Sequence, residues 1–511
     1  MKLFAPTLTD FYKTGHIFQE PKNTSFVYSN MTPRSDRWAT VLPDFDHKVV
    51  NFGAQGVCKW LLRDLWNETF FNKPKAEVVA KYKRRMDNAL GPNAVSVDHI
   101  AALHDLGYLP IAILELPEGA RVDIRVPVWV IYNTHPNFAW VTNYLETQLS
   151  AELWKSMTTA TVAYEYRRLL DSYAKKTGAP AEFVPWQGHD FSNRGMSGVH
   201  DAAQSGAGHL LSFTGTDTIS SIDYLEEYYN ANSDLELIGG SVAATEHSIE
   251  SANILLEVKR LREIDPTRSE SDCLYDAEVA TTKRLITEIY PTGLVSRVSD
   301  TYDFWAVVTR VVRDLKDVLM ARDGKLVIRP DSGDPVKIIC GDPLATPGSP
   351  QFKGAVECLW EVFGGTTTNM GFKTLDSHIG LIYGDSISLE RAQAILEGLS
   401  RKGFSSANIV FGIGSFTYQH VTRDTFGTAI KATYTIIDGE GIELYKDPKT
   451  DNGIKKSARG LIKVTFENGH YVLHDQQTGF TDAGELIEIF RNSKIMHEFT
   501  LSEIRERLAK S

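Results

Sequence analysis

Four aspartates each follow a short apolar run: Asp217, Asp300, Asp331 and Asp385. Carboxylates set singly at separate strand ends suit ribose hydroxyls and Mg2+ better than the tight cage zinc demands. Arg329-Pro330-Asp331-Ser332-Gly333 puts a guanidinium beside one of them. Such a pair can grip a phosphate and a sugar hydroxyl together, and can equally be a structural ion pair. Gly384-Asp385 is placed at the opening of a helix, where free N–H groups favour an anion and the carboxylate can hold a ribose diol; a plain helix cap is the alternative. Gly412-Ile413-Gly414-Ser415 would let a phosphate approach the backbone closely. In His189-Asp190-Phe191-Ser192-Asn193-Arg194-Gly195 an aromatic ring and an arginine can stack a flat ring and hold a phosphate, or can be a core Phe and a surface Arg. His200, His209 and His247 lack zinc-ligand spacing, which leaves His247, read as a strand-end residue, either structural or catalytic. Lys446, Lys455, Lys456 and Arg459 form a basic patch that is otherwise a solvated face.

These clusters need a frame. The chain has 511 residues, 42% of them hydrophobic and 23% charged, with a formal net charge of −11. That length implies two or three domains. The acidic balance and the absence of a long basic stripe argue against nucleic acid or an acidic membrane as partner. An anionic substrate must then be held by a local group of Arg and Lys. Cys58, Cys273, Cys340 and Cys358 show no Cys-x-x-Cys spacing, which fits a thiol-keeping cytosol. The opening Met1 to Pro6 has no secretory apolar segment, and no run approaches the ~20 apolar residues of a spanning helix. A soluble cytoplasmic protein without membrane contact is expected.

Three stretches read differently. Up to about residue 150, helices mix with antiparallel strands. Val57, Leu61 and Leu65 mark a helical face, and the alternating Val122, Ile124, Val126, Val128 and Val130 predict one half-buried strand with Pro127 near an edge or bulge. A long helix is predicted from about Asn143 to Lys176, ending at Gly178. Beyond it, apolar runs at Leu210–Phe213, Leu235–Val242, Leu294–Val298, Leu326–Ile328, Ile379–Tyr383 and Ile409–Phe411 each end in a polar or glycine cluster. The intervals, about 30 or about 54 residues, leave room for crossover helices such as Leu389–Leu399, with Ser388 as its cap. Repeated strand, polar cluster and helix predict a parallel α/β barrel with its chemistry at the carboxyl ends of the strands. After about residue 430 the antiparallel character returns, with a hairpin at Asn468-Gly469 and a capping box at Thr500 and Glu503. The predicted architecture is an irregular parallel α/β barrel (151–431, with the long helix leading) beside an α+β sheet domain formed from both chain ends (1–150 and 432–511).

In this order the clusters resemble the nicotinamide phosphoribosyltransferase family. Nine strings carry the resemblance: Thr9–Lys13, His189–Phe191 with Arg194-Gly195, Gly215–Thr218, Glu246–Ser248, Ser299–Asp303, Arg329–Gly333, Gly384-Asp385, Thr422–Asp424 and Lys446–Pro448. The resemblance implies a type II phosphoribosyltransferase fold and a homodimer with two active sites shared between subunits. It implies that Phe191 and the partner's Tyr12 sandwich nicotinamide, with Asp10 nearby, and that Asp217 accepts a hydrogen bond from the carboxamide. Arg194 and Arg329 would hold phosphates, and Asp331, Gly384 and Asp385 the ribose, with Ser296 and Asp300 also lining the substrate site. Gly414 and Ser415, with Arg423 and Lys431 from the partner, would bind the 5′-phosphate. His247, Lys446 and Lys455 would lie at an ATP and pyrophosphate site, where the histidine can be phosphorylated. His247, Asp331 and Arg329 are the expected catalytic residues, Mg2+ the cofactor, and ATP an optional energy source. Ser415 stands where the family often has a second glycine, and Ala429 where a phosphate-binding serine is common; both changes bear on phosphate affinity. The rivals are a nicotinate phosphoribosyltransferase, which Asp217 would repel; a barrel aldolase, for which the clusters offer no strand-end lysine; and a non-enzymatic binding or signalling protein.

Overall fold

The computed structural model describes residues 3–446, 457–479 and 482–511. Lys455, Lys456 and the Asp447-Pro448 part of the last string lie outside them.

Seven parallel strands curl into a barrel, adjacent in the order Gly215–Thr216, Gly188–Asp190, Val410–Ile413, Ile379–Tyr383, Gly324–Arg329, Gly293–Val298 and Ala243–Ala244. A parallel bridge between Gly215 and Gly240 brings the two ends of this sheet together. The strands from 293 to 413 are where the apolar runs predicted them, because strands covered on both faces read as continuous hydrophobic stretches. The two earlier runs behave otherwise. Leu210–Phe213 forms the turns after the helix Val199–His209, and the strand is the two residues that follow. In Leu235–Val242, Leu235 and Leu237 are exposed, and pairing begins only at Gly240.

The long helix spans Glu146–Thr177 and ends at Gly178, whose φ of 70° is the left-handed conformation a glycine adopts without strain. Its length, ~48 Å at 1.5 Å per residue, lets it run along both parts of the molecule. The helix Leu389–Arg401 begins where predicted, with Ser388 Oγ accepting from the Arg391 N–H. Gly384-Asp385 does not open that helix: it sits in the preceding loop, with Ser386 at φ 49° between.

Strands from both chain ends interleave in one antiparallel sheet, in the order Glu440–Glu443, Ala429–Ile437, Thr24–Thr32, Trp129–Asn133, Ile111–Glu115, Ile487–Arg491 and Lys494–Ile495. The run from Val122 to Val130 is broken. Arg121–Asp123 pairs with Lys48–Val50, the chain turns at Arg125 with φ 79°, and Trp129–Asn133 enters the main sheet. Pro127 has no N–H to donate, and the turn re-aims the chain so that Val122, Val126, Val128 and Val130 are all buried. The hairpin Leu461–Glu467 and His470–Gln477 turns through Asn468 and Gly469 as expected, but forms a separate two-stranded sheet. The last helix, Leu501–Ala509, carries the predicted capping box.

One hydrophobic core runs through barrel and sheet. At the seam Glu118 is fully enclosed: its Oε1 accepts from the Gln55 N–H at 2.8 Å and from the Tyr229 hydroxyl at 3.3 Å. Tyr229 ends the barrel helix Ile219–Tyr229. Burial pushes the Glu118 carboxyl up to about 7. All four cysteines are buried and free, and no helix among the described residues is long and apolar enough to cross a membrane.

Candidate active site

The carboxyl ends of the barrel strands bring the predicted aspartates together. Asp217 follows the strand Gly215–Thr216. Its Oδ1 accepts from His189 Nε2 at 2.9 Å and from the Ser241 hydroxyl at 2.6 Å. Partial burial disfavours the charge, but these two hydrogen bonds and the nearby charges of His189 and Arg329 outweigh it, so the carboxyl titrates below its usual range. Asp217 is therefore an ionised acceptor at neutral pH.

Phe191 lies beside it. Its N–H is held by the Ile413 carbonyl, and its ring centroid is 4.9 Å from that of His189. Two glycines make the floor under this ring. A Cβ on Gly412 would stand 2.4 Å from Phe191 Cδ2, and one on Gly384 would stand 3.5 Å from Cε2 and 2.4 Å from Asp331 Oδ1. Gly384 thus leaves room for an aromatic ring and a carboxylate at once. Arg194 is exposed on the same loop, in the turn Asn193–Gly195.

Arg329 donates from Nη2 to the Thr245 carbonyl at 2.6 Å, and its Nε lies 3.6 Å from Asp331 Oδ2. Asp300 Oδ2 accepts from the Asp331 N–H, the Ser332 N–H and the Ser332 hydroxyl, at 2.5 to 2.9 Å, which fixes the loop after the strand Gly324–Arg329. Asp300 Oδ1 is buried without a hydrogen bond. His247 begins the helix His247–Ile264 rather than ending a strand. Its Nδ1 is 3.2 Å from Thr301 Oγ1, and its Nε2 is 3.6 Å from Asp300 Oδ1 and 3.9 Å from Asp331 Oδ2. Burial and the neighbouring Asp300 and Asp385 charges push the Asp331 carboxyl upward against the pull of Arg329 and His247. Ser296 is buried on the strand Gly293–Val298, its hydroxyl without a hydrogen bond. Gly414 caps the short helix Ser415–Tyr418 after the last barrel strand, and Asp385 sits on the adjacent loop.

A second group lies away from the barrel mouth. Asp10 accepts from the Thr147 hydroxyl at 2.7 Å, and Tyr12 is 61% exposed, edge-on to His16. Lys431 pairs with Glu146 at 3.3 Å, and Lys13 pairs with the same carboxylate. Arg423 is exposed near Asp424, and the Lys446 N–H donates to Ser457 Oγ. A cavity of about 210 Å3 beside Lys431 is lined by Asn30, Thr32, Arg34, Arg125 and Ala429 among others. Among the described residues, no hydrogen bond, ion pair or ring contact within the chain joins Asp10, Tyr12, Arg423 or Lys431 to the barrel-mouth group.

Several partners escape the sequence. His189 and Ser241 orient Asp217, and Thr245 orients Arg329. Arg297 is buried under the His247 helix and bonds Glu250 and Glu278 at 2.8 and 2.6 Å, tying that helix to the next. The adjacency of Ser296 and Arg297 on one strand was the available signal: successive side chains point to opposite faces, and Arg297 is the one that faces the helices.

Residues 186–483 match the nicotinate phosphoribosyltransferase (NAPRTase) family model. A nicotinamide phosphoribosyltransferase of Acinetobacter baylyi is 54% identical over 507 residues, covering 98% of this chain and 96% of that protein. The chain belongs to the nicotinamide phosphoribosyltransferase family. Other members bearing that name come from Mycoplasma pneumoniae, 31% identical over 86% of this chain and 92% of its own, and Xanthomonas campestris, 30% identical over 97% and 96%. Among solved structures, a nicotinate-nucleotide pyrophosphorylase from Pyrococcus furiosus superposes with a TM-score of 0.55 at 16% identity, over 99% of this chain and 94% of that one. Human nicotinic acid phosphoribosyltransferase gives 0.52 at 13% identity, over 98% and 93%. These two share the fold of this family member.

Proposed function

We propose that the chain joins nicotinamide to 5-phosphoribosyl 1-pyrophosphate, releasing nicotinamide mononucleotide and pyrophosphate. The observation that carries this reading is the ionised Asp217, held by His189 and Ser241 beside Phe191. A carboxylate there accepts the N–H of a carboxamide and repels the carboxylate of nicotinate. Phe191 supplies one stacking face for the ring. Arg329 and Arg194 meet phosphates, and Asp331 and Asp385 meet ribose hydroxyls.

In the reaction the ring nitrogen's lone pair forms the bond to ribose C1 while the bond from C1 to the pyrophosphate oxygen breaks. The electron pair leaves with pyrophosphate, and no proton has to move. The side chains therefore contribute position and charge rather than acid or base catalysis. Among the described residues no three His, Cys, Asp or Glu side chains have metal-holding geometry. The unbonded Asp300 Oδ1 and the crowded Asp331 still fit Mg2+ carried in with pyrophosphate, as one or two carboxylates usually do. Such an ion supplies neutralisation of the leaving group.

Three finer points belong to the same proposal. The site is completed by a second copy of the chain, which brings Tyr12, Asp10, Arg423 and Lys431; the exposure of Tyr12 and Arg423 supports this. His247, facing two carboxylates from a helix start, takes a phosphoryl group from ATP and so couples ATP to synthesis. The enzyme works in the cytoplasm, where its four free cysteines stay reduced.

Pyrophosphate release with nicotinamide and with nicotinate, measured in parallel, tests the reading. Nicotinamide should be strongly preferred. Asp217→Asn should raise the KM for nicotinamide by roughly tenfold to a hundredfold and relax the preference. Equal turnover of nicotinate by the native chain would overturn the substrate.

A further inference from the structure

Two substrate-facing loops of the barrel mouth meet on one buried lysine. Lys155 lies in the helix Glu146–Thr177 and is 5% exposed. Its Nζ donates to Gln419 Oε1 at 2.8 Å and lies 3.8 Å from Asp201 Oδ1. The Gln419 amide nitrogen donates to Ser197 Oγ, and the Ser197 N–H donates to Asp201 Oδ2 at 2.9 Å. The four residues close a ring. An ammonium only donates, so the Gln419 oxygen must face Lys155 and its NH2 must face Ser197.

The ring joins the parts of the site that carry different ends of the substrate. Ser197 ends the loop that begins at Phe191 and contains Arg194. Gln419 follows the short helix Ser415–Tyr418, and its N–H bonds the Ser415 carbonyl at 2.8 Å. The loops also abut at Gly195, where a Cβ would stand 2.1 Å from Ser415 Oγ. Three turns further along the long helix, the Tyr166 hydroxyl bonds Thr417 Oγ1 at 2.9 Å, so the second loop is moored twice to one rigid element.

A buried ammonium with its nearest carboxylate beyond hydrogen-bond range is a costly way to fill space; an unbranched apolar side chain of similar length would do that without desolvating a charge. Its directed contact is with Gln419. We propose that Lys155 is a positioning residue: through Gln419 and Asp201 it fixes the spacing between the loop Phe191–Ser197 and the loop Gly414–Gln419, setting the ring and phosphate ends of the mononucleotide against each other. This rests on the site reading above.

The test compares the native chain with Lys155→Met, Lys155→Arg and Gln419→Leu. Backbone amide exchange is followed in residues 193–197 and 415–419 of the free protein, and KM and kcat are measured for both substrates. Lys155→Met and Gln419→Leu should speed exchange in both loops together. They should raise both KM values by roughly tenfold to a hundredfold, with a smaller change in kcat. Lys155→Arg, which still reaches Gln419, should recover most of that loss. Native KM values in Lys155→Met, or faster exchange in only one loop, would overturn the proposal. Gln419 is half-exposed, so its variant decides the matter if Lys155→Met fails to fold. Exchange is read without substrate, so a wrong substrate assignment would appear as missing turnover in the native chain and leave the loop result standing.

Discussion

At the barrel mouth three charged positions are set by neighbours: Asp217 by His189 and Ser241, Arg329 by Thr245, and the Asp331 loop by Asp300. Outside the mouth, Tyr12 is 61% exposed and Arg423 is exposed beside Asp424. The contrast separates a part that is pre-set from one that, in the shared-site proposal, a second copy of the chain completes. An enclosed, hydrogen-bonded group holds its geometry alone, whereas an exposed aromatic beside paired cations gains its main contacts only when another surface covers it.

The sharpest way to break that comparison is complementation. Tyr12→Ala and Phe191→Ala should each lose nearly all activity. Mixed in equal amounts with free exchange of chains, they should recover toward about a quarter of native activity, because half the dimers carry one intact site of two. No recovery, with exchange confirmed by pull-down of a tagged chain, would place both residues in one chain's site.

A smaller effect is expected at His247, between the two carboxylates. His247→Ala should abolish the increment that ATP adds to turnover, and should lower turnover without ATP by less. Full stimulation by ATP in the variant would remove the phospho-histidine step.

The smallest effect concerns the seam. The carboxyl of Glu118 is raised to about 7 from 4.5 in the folded chain, so folding favours its protonated form. The stability this group contributes is present below about pH 4.5 and declines as pH rises through 7. Melting temperature followed from pH 5 to 8 should fall less steeply in Glu118→Gln than in the native chain; parallel curves would mean Glu118 does not carry that dependence.

How much of this was legible depended on what each residue had to do. The strands from Leu294 to Ile413 were visible because a barrel strand is buried on both sides and reads as an apolar run. Leu210–Phe213 looked identical and forms the turns after a helix, since the chain leaving a helix packed on a barrel buries the same residue types. The break at Arg125 was hidden because the two strands it separates happen to keep the alternation in phase. In the site, Asp217, Asp331 and Asp385 could be picked out by type and strand-end position. The partners that set their state could not: His189 lies 28 residues from Asp217 and Ser241 lies 24, so each contact exists only once the strands are adjacent. Gly384 was noticed for its N–H groups, yet its part in the structure is to leave space for Phe191 and Asp331.

The interleaved sheet has a consequence for the order in which the molecule can be made. The strand Thr24–Thr32 meets Trp129–Asn133 on one side and Ala429–Ile437 on the other. The first neighbour leaves the ribosome soon after it; the second follows about 400 residues later. At roughly 5–20 residues per second, that is on the order of 20–80 s during which one edge of a nine-residue strand offers unpaired N–H and C=O groups. The barrel is synthesised entirely within that interval, so the nascent chain must keep an open β edge from pairing with its neighbours on the same message until Ala429–Ile437 arrives.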